Sequence, residues 1–492
     1  MTADQNDAPQ MSGDDIEAKI QRQPHLYLRL IQNSLTVAES LRRNYFKNTA
    51  EFARLLRNKA RLAGADFFAG KDVTGLDWQD LRDEVVTFID GGVGEVRIAS
   101  QVPLLLRVGS YRVKIGERRL SEREQFGYYP IILGDLQGGS KERKDFIDIV
   151  RITAELLGGL SALVRTPDLR LLMFHGPLVY HVGAYEGHTP FTSQDIDLFL
   201  HQYATEPTVG RQLKAQFLAE ARVDIYPKMT DRPDEWIKRE LFEPLAWMAF
   251  LYRQLIREVK QRSAQVLVAG VVERTTSREF IESQLLDRVF RGLREKGNAD
   301  YFNRIYGRTD LTSPKALLDK LGYTDTLLLA MLLEAGQMSD PWEVDKYSGL
   351  REGNVTLPGD STREVVDFSP LKPGPIGFPR VNGCYVHVSE TTEPIRVETF
   401  PELGQGQILQ CALRAYRYAR LLPGYGFPVG LDIVDKYAHV PEWMTNAYGK
   451  LIRLHLAESL QRGEINDQHM RKIIVEAIYM THRDWLFRPR VQ

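Results

Sequence analysis

The stretch "VVTFIDGGVGEV", residues 85–96, decides how the rest of the chain is read. Val85, Val86, Phe88 and Ile89 form a short apolar, β-branched run of the kind that fills a buried strand. Asp90 follows at the point where such a strand surfaces from a core, and Gly91-Gly92 then offers a turn. An acid at that position is placed by the fold rather than scattered on the surface.

Downstream, "EVRIASQVPLLLRVG" (95–109) and "SYRVKIGERR" (110–119) read as two further strands, with Gly109-Ser110 as the hairpin turn between them. Ser140 opens a helix, "SKERKDFIDIVRITAELLGGLSALV", and Thr166-Pro167-Asp168 turns the chain into the strand "LRLLMF", which ends at His175-Gly176-Pro177. Strand, strand, strand, helix, strand is the order of an α/β, ribonuclease H-like mixed-sheet core, here with large helical additions. That fold gathers acids at one sheet edge to hold divalent metals for phosphodiester cleavage. Converging carboxylates repel one another without a cation, so such a cluster costs stability and persists for function.

The totals exclude little. The chain has 492 residues, 43% of them hydrophobic, with 64 Lys+Arg against 65 Asp+Glu and a formal net charge of −1. A polyanion would therefore be met by local patches rather than a global field. Two cysteines, Cys384 and Cys411, cannot build a disulfide framework or a four-thiolate zinc site, which points to a reducing, cytoplasmic setting. No apolar run approaches the roughly 20 residues that span a bilayer, so no membrane partner is expected.

Residues 1–14 read as a disordered lead and 15–75 as an N-terminal helical region broken at Pro24. That region carries seven basic residues between Arg42 and Arg61 against one acid, Glu51. Residues 76–460 then form the main domain, with a Gly/Pro-rich loop insertion at about 341–380, and 461–492 a C-terminal helical tail. "QVLVAGVVERTT" (265–276) reads as a further strand, and "GCYVHVSETTEPIRVETFP" (383–401) as a late hairpin.

Several pieces together resemble the NurA nuclease domain family: "FIDGGVGEV", "ITAELLGGL", "LLMFHGPLV", "VLVAGVVERTTS", "YVHVSETTEPIRVETFP" and "GYGFPVGLDIVDKYAHV", in the family's order, over about residues 80–450. The resemblance implies that Asp90, Glu155 and Asp435 are catalytic and that, with His175, they hold Mn²⁺ or Mg²⁺. Asp432 and His439 are alternatives for the last ligand, and Asp148 for the helix acid. His175 departs from the family, whose second strand ends in Asp-Gly. An imidazole still binds Mn²⁺ but brings no negative charge and cannot bridge two metals.

The resemblance further implies DNA as substrate, a homodimer, and docking on a hexameric HerA-type ATPase, in end processing or anti-phage defence. Lys436, Arg414 and Arg417 are candidate DNA-binding residues; the two arginines interleave with Tyr416 and Tyr418 on a predicted helix. Two rival readings stand beside the nuclease. One is an adaptor that lost cleavage through the change at His175. The other is a nucleotidyltransferase using Asp195 and Asp197, two apart on one strand face.

Overall fold

The computed structural model describes residues 23–58, 70–96, 104–133, 140–180, 191–203, 207–220, 244–262, 265–344, 378–404, 406–422 and 424–479, with Gln21, Ile98 and residues 241–242. The expected disordered lead and most of the 341–380 insertion lie outside the described residues. The chain divides into two units. One joins residues 1–67 to 281–332 and is helical among its described residues, with Phe52 tilted against Phe302 and Tyr323 in its core. The other, residues 68–280 and 333–492, carries the sheet and the site.

The sheet core is built from β1 (Val85–Glu95), β2 (Leu104–Lys114), β3 (Glu124–Leu133), helix α1 (Ser140–Arg165) and β4 (Leu169–His175). Helix α2 (Pro244–Gln261) leads into β5 (Leu267–Val272), and the late hairpin supplies β6 (Asn382–His387) and β7 (Ile395–Thr399). Across the sheet the order is β6, β7, β5, β4, β1, β2, β3, extended beyond β6 by short two-residue strands. β1, β4 and β5 run parallel, while β2, β3 and β7 are antiparallel to their neighbours. The architecture is thus mixed α/β. Runs such as "LVAGVV" are buried throughout, as central parallel strands covered on both faces must be.

Three expectations are corrected. Gly109-Ser110 is not a turn: β2 runs straight through it, pairing Gly109 with Asp90 and Ser110 with Ile89. The third strand is therefore 124–133 rather than 110–119. Nor does β1 stop at Asp90; it continues through Gly91 and Gly92 to Glu95.

Glycine serves close packing here. Helices α3 (Gln407–Ala419) and α4 (Val429–Ala438) lie on one sheet face and α1 on the other. A Cβ at Gly109 would stand 2.9 Å from Val434 Cγ2, and one at Gly92 would collide with the carbonyl oxygen of Ala438. On the opposite face, a Cβ at Gly159 would stand 2.6 Å from Phe174 Cζ. Strands that read as interrupted are instead stripped of side chains so that helices can rest on their backbone.

Candidate metal centre

The site forms where strand lengths differ. The parallel pairing of β1 with β4 ends at Ile89 opposite Phe174, so Asp90 and His175 come next on their strands, side by side at the end of the parallel register. Side chains alternate across a strand, and Val86, Phe88 and Asp90 share the face that carries α4, as do Leu171, Met173 and His175. Asp435 enters from α4, which the glycines at 92 and 109 allow to lie against the strands.

Ligand atoms of Asp90, His175 and Asp435 all lie within 4.8 Å of one another. His175 Nδ1 is 3.7 Å from Asp90 Oδ1, and the imidazole meets the ring of Phe427 edge-on at 5.4 Å. Asp90 is 4% exposed, and its Oδ1 accepts the Gly91 N–H at 2.8 Å.

Glu155 approaches from the other face of the sheet, near enough for its charge to act on Asp90, but it is not one of the three grouped ligands. Helix α1 is buried all round between Ile152 and Leu163, and Glu155 is buried with it, at 5% exposed. Gly91 makes room for it, since a Cβ there would stand 2.7 Å from Glu155 Oε1. Arg151, one helical turn earlier, donates from Nη1 to Glu155 Oε1 at 2.7 Å.

Burial pushes the Asp90 carboxyl up to about 9, aided by the charges of Glu155 and Asp435 and opposed by the Gly91 amide. Burial likewise raises Glu155, against the opposing pull of Arg151. For His175, burial lowers the value, which keeps the imidazole neutral and its nitrogen free to coordinate. One nitrogen and the carboxylate oxygens form a hard, oxygen-rich donor set. It fits Mn²⁺ or Mg²⁺, and buried acids that resist ionising alone are stabilised as anions by such a cation.

A pH dependence follows. Between the ordinary aspartate value and about 9, native Asp90 keeps a proton that the unfolded chain has lost. Stability of the metal-free protein therefore falls as pH rises through that window. His175 acts in the opposite sense near its ordinary value of 6.5, so the comparison belongs above that pH. Thermal unfolding in chelator from pH 7 to 9 should show wild type losing ground to Asp90→Asn, with added Mn²⁺ reversing the trend; parallel curves would contradict the burial argument.

The other candidates have different surroundings. Asp432 accepts from Tyr425 Oη at 2.5 Å and from Lys436 Nζ at 2.7 Å, and it is not one of the three grouped ligands. His439 uses its carbonyl, toward Arg107 Nη1 at 3.4 Å. Asp148 lies 3.8 Å from Arg151.

Arg414 and Arg417 are not brought to this cluster. Arg414 pairs with Glu84 and Arg417 with Asp77, the latter guanidinium also lying over Trp78. Glu84 precedes Asp90 by six residues (90 − 84), about 20 Å along an extended strand.

Asp195 and Asp197 sit on a helix, Ser193–Tyr203, not on a strand. Asp195 accepts from the Thr192 N–H and hydroxyl at its start, and Asp197 pairs with Lys214, so they share no metal-binding face. Sequence reasoning missed Arg151 and Tyr180, over whose ring the Arg151 guanidinium lies at 4.7 Å. The four-residue spacing of Arg151 and Glu155 was the available signal.

A family model described as the NurA domain matches residues 84–440. The NurA nuclease from Sulfolobus solfataricus is similar in structure at 12% identity over 86% of this chain and 98% of its own, with a TM-score of 0.44. A crystal structure of NurA bound to dAMP and manganese is similar at 11% identity over 86% and 94%, with a TM-score of 0.35. No curated protein matches the chain.

Proposed function

The chain belongs to the NurA domain family, and from that premise we propose that it is a divalent-metal-dependent deoxyribonuclease with a ribonuclease H-like core. The observation that carries this reading is the convergence of Asp90, His175 and Asp435 within 4.8 Å, with buried Glu155 beside them. The strand order β5, β4, β1, β2, β3, with α1 between β3 and β4, supports the core assignment.

Asp90, His175 and Asp435 would hold the cation, with Glu155 adjoining. A bound divalent cation supplies Lewis-acid stabilisation of charge on a phosphodiester and eases deprotonation of water. Manganese suits a set that includes an imidazole, and it is named in two solved structures of NurA proteins. Phe427 and the neutral state of His175 keep one ring nitrogen oriented and unprotonated. In hydrolysis, water attacks phosphorus, one P–O bond breaks, and the departing oxygen takes a proton from solvent. We assign Glu155, beside the cluster, the proton that the attacking water loses.

Lys436 is exposed, pairs with Asp432 and feels the charge of Asp435, so we assign it to a backbone phosphate of the strand. Lys436→Ala should weaken single-strand binding about threefold and reduce the magnitude of the salt-dependence slope by about one. An unchanged slope would remove it from the DNA path. A homodimer working with a hexameric HerA-type ATPase belongs to the same proposal.

The presence of His175 where the family has aspartate favours one second reading, a non-cleaving adaptor. A labelled single strand or plasmid incubated with Mn²⁺ separates the two. Cleavage by wild type that Asp90→Ala abolishes supports the nuclease. Equal inactivity of both proteins, alone and with the ATPase, supports the adaptor.

A further inference from the structure

Arg151, a largely buried charge beside the site, has no part in the mechanism above. Arg151 has a side chain 16% exposed, and it cannot lose its proton in the interior. Its Nη1 donates to Glu155 Oε1 at 2.7 Å, Nη2 lies 3.8 Å from Asp148, and the guanidinium lies over the ring of Tyr180 at 4.7 Å. Gly91 admits it to the edge of β1, since a Cβ at that residue would stand 3.1 Å from Arg151 Cγ. Its charge is also felt by His175. A planar fork, clamped by an aromatic face and aimed at an acid of the site, is the geometry that recognises phosphate oxygens.

We propose that Arg151 is an exchangeable cation of the site: it neutralises Glu155 in the metal-free protein and, once a divalent cation takes over that charge, its guanidinium binds a phosphate oxygen of the substrate. This rests on the metal-centre reading above. The charge balance motivates it. Without a divalent cation the buried Glu155 needs a counter-charge, and Arg151 donates to it directly. With the cation present, the pair with Glu155 becomes redundant and the fork is free to turn. Tyr180 keeps it within reach of the cluster during the exchange. Arg151 thereby competes with the metal yet cooperates with the phosphate, two effects of opposite sign that a purely structural arginine would not combine.

The test measures binding without turnover. Mn²⁺ affinity is read from the electron paramagnetic resonance of free Mn²⁺ in the absence of DNA. Affinity for thymidine 5′-monophosphate is then read on the Mn²⁺-saturated protein by calorimetry. Arg151→Met should bind Mn²⁺ about tenfold more tightly, because a like charge near the cation is gone, and the nucleotide about tenfold more weakly. Arg151→Lys keeps the charge and protects against a folding failure of the first variant. It should bind Mn²⁺ within about twofold of wild type and the nucleotide at least about threefold more weakly, since an ammonium cannot form the fork. Weaker or unchanged Mn²⁺ binding by Arg151→Met overturns the proposal, as does undiminished nucleotide binding by either variant. Failure of wild type itself to bind Mn²⁺ would instead overturn the metal-centre reading.

Discussion

Asp90→Asn is expected to abolish Mn²⁺-dependent cleavage and, at the same time, to make the metal-free protein more stable. Cleavage should fall by about 10³-fold or more, because the substitution removes one of the three grouped ligands and a negative charge the cation requires. The gain in stability follows from burial: Asp90 is 4% exposed, and both Glu155 and Asp435 oppose its ionisation. An amide of the same shape is neutral without holding a proton against its ordinary value, and it keeps an oxygen for the Gly91 N–H. A gain of about 1–3 kcal/mol at pH 8 is the scale expected when a buried acid no longer has to hold a proton that the unfolded chain gives up. Urea unfolding in chelator would measure it. Loss of both activity and stability would mean that Asp90 is a structural residue.

The second large effect concerns a residue with no functional group. In Gly92→Ala the new methyl would collide with the backbone carbonyl of Ala438, the last residue of the helix that delivers Asp435. A backbone atom cannot swing aside as a flexible side chain does, so the helix must shift. The strain should cost about 1–3 kcal/mol. A displacement of about 1 Å at the ligand is enough to lower cleavage about 10²-fold. Mn²⁺ affinity should fall in parallel while the circular dichroism spectrum stays that of the folded protein. Gly75→Ala is the control, because a Cβ there meets nothing within 4 Å. Equal behaviour of the two variants would remove the close contact from the account.

These glycines also explain what could be read in advance. The Val85–Ile89 run announced a buried strand and marked Asp90 as placed. The helix 140–165 and the strand reaching His175 were visible from periodicity and a Pro-Asp turn. Gly109-Ser110 misled because glycine has two uses, turning and thinning, and a lone sequence does not tell which helix will press on a strand. Glu124–Leu133 was missed since it opens on Glu124 and Gln125, which suit an outer strand beside solvent better than a core. Asp195 and Asp197 read as strand-borne because spacing by two looks the same on paper whatever the backbone does; in the helix it sends them to different partners. Glu155 could be singled out over Asp148 only through the family resemblance. A burial that required Arg151 as a counter-charge was not visible without the second helix layer that α2 adds over α1.

The central claim is that Asp90, His175 and Asp435 jointly grip a divalent cation. Anomalous diffraction from Mn²⁺-soaked crystals of wild type tests it most directly. The account predicts a strong manganese peak within coordination distance of an Asp90 oxygen, an Asp435 oxygen and a His175 nitrogen, and no such peak in Asp90→Asn. A protein saturated with Mn²⁺ whose peaks all lie away from these three side chains would contradict it.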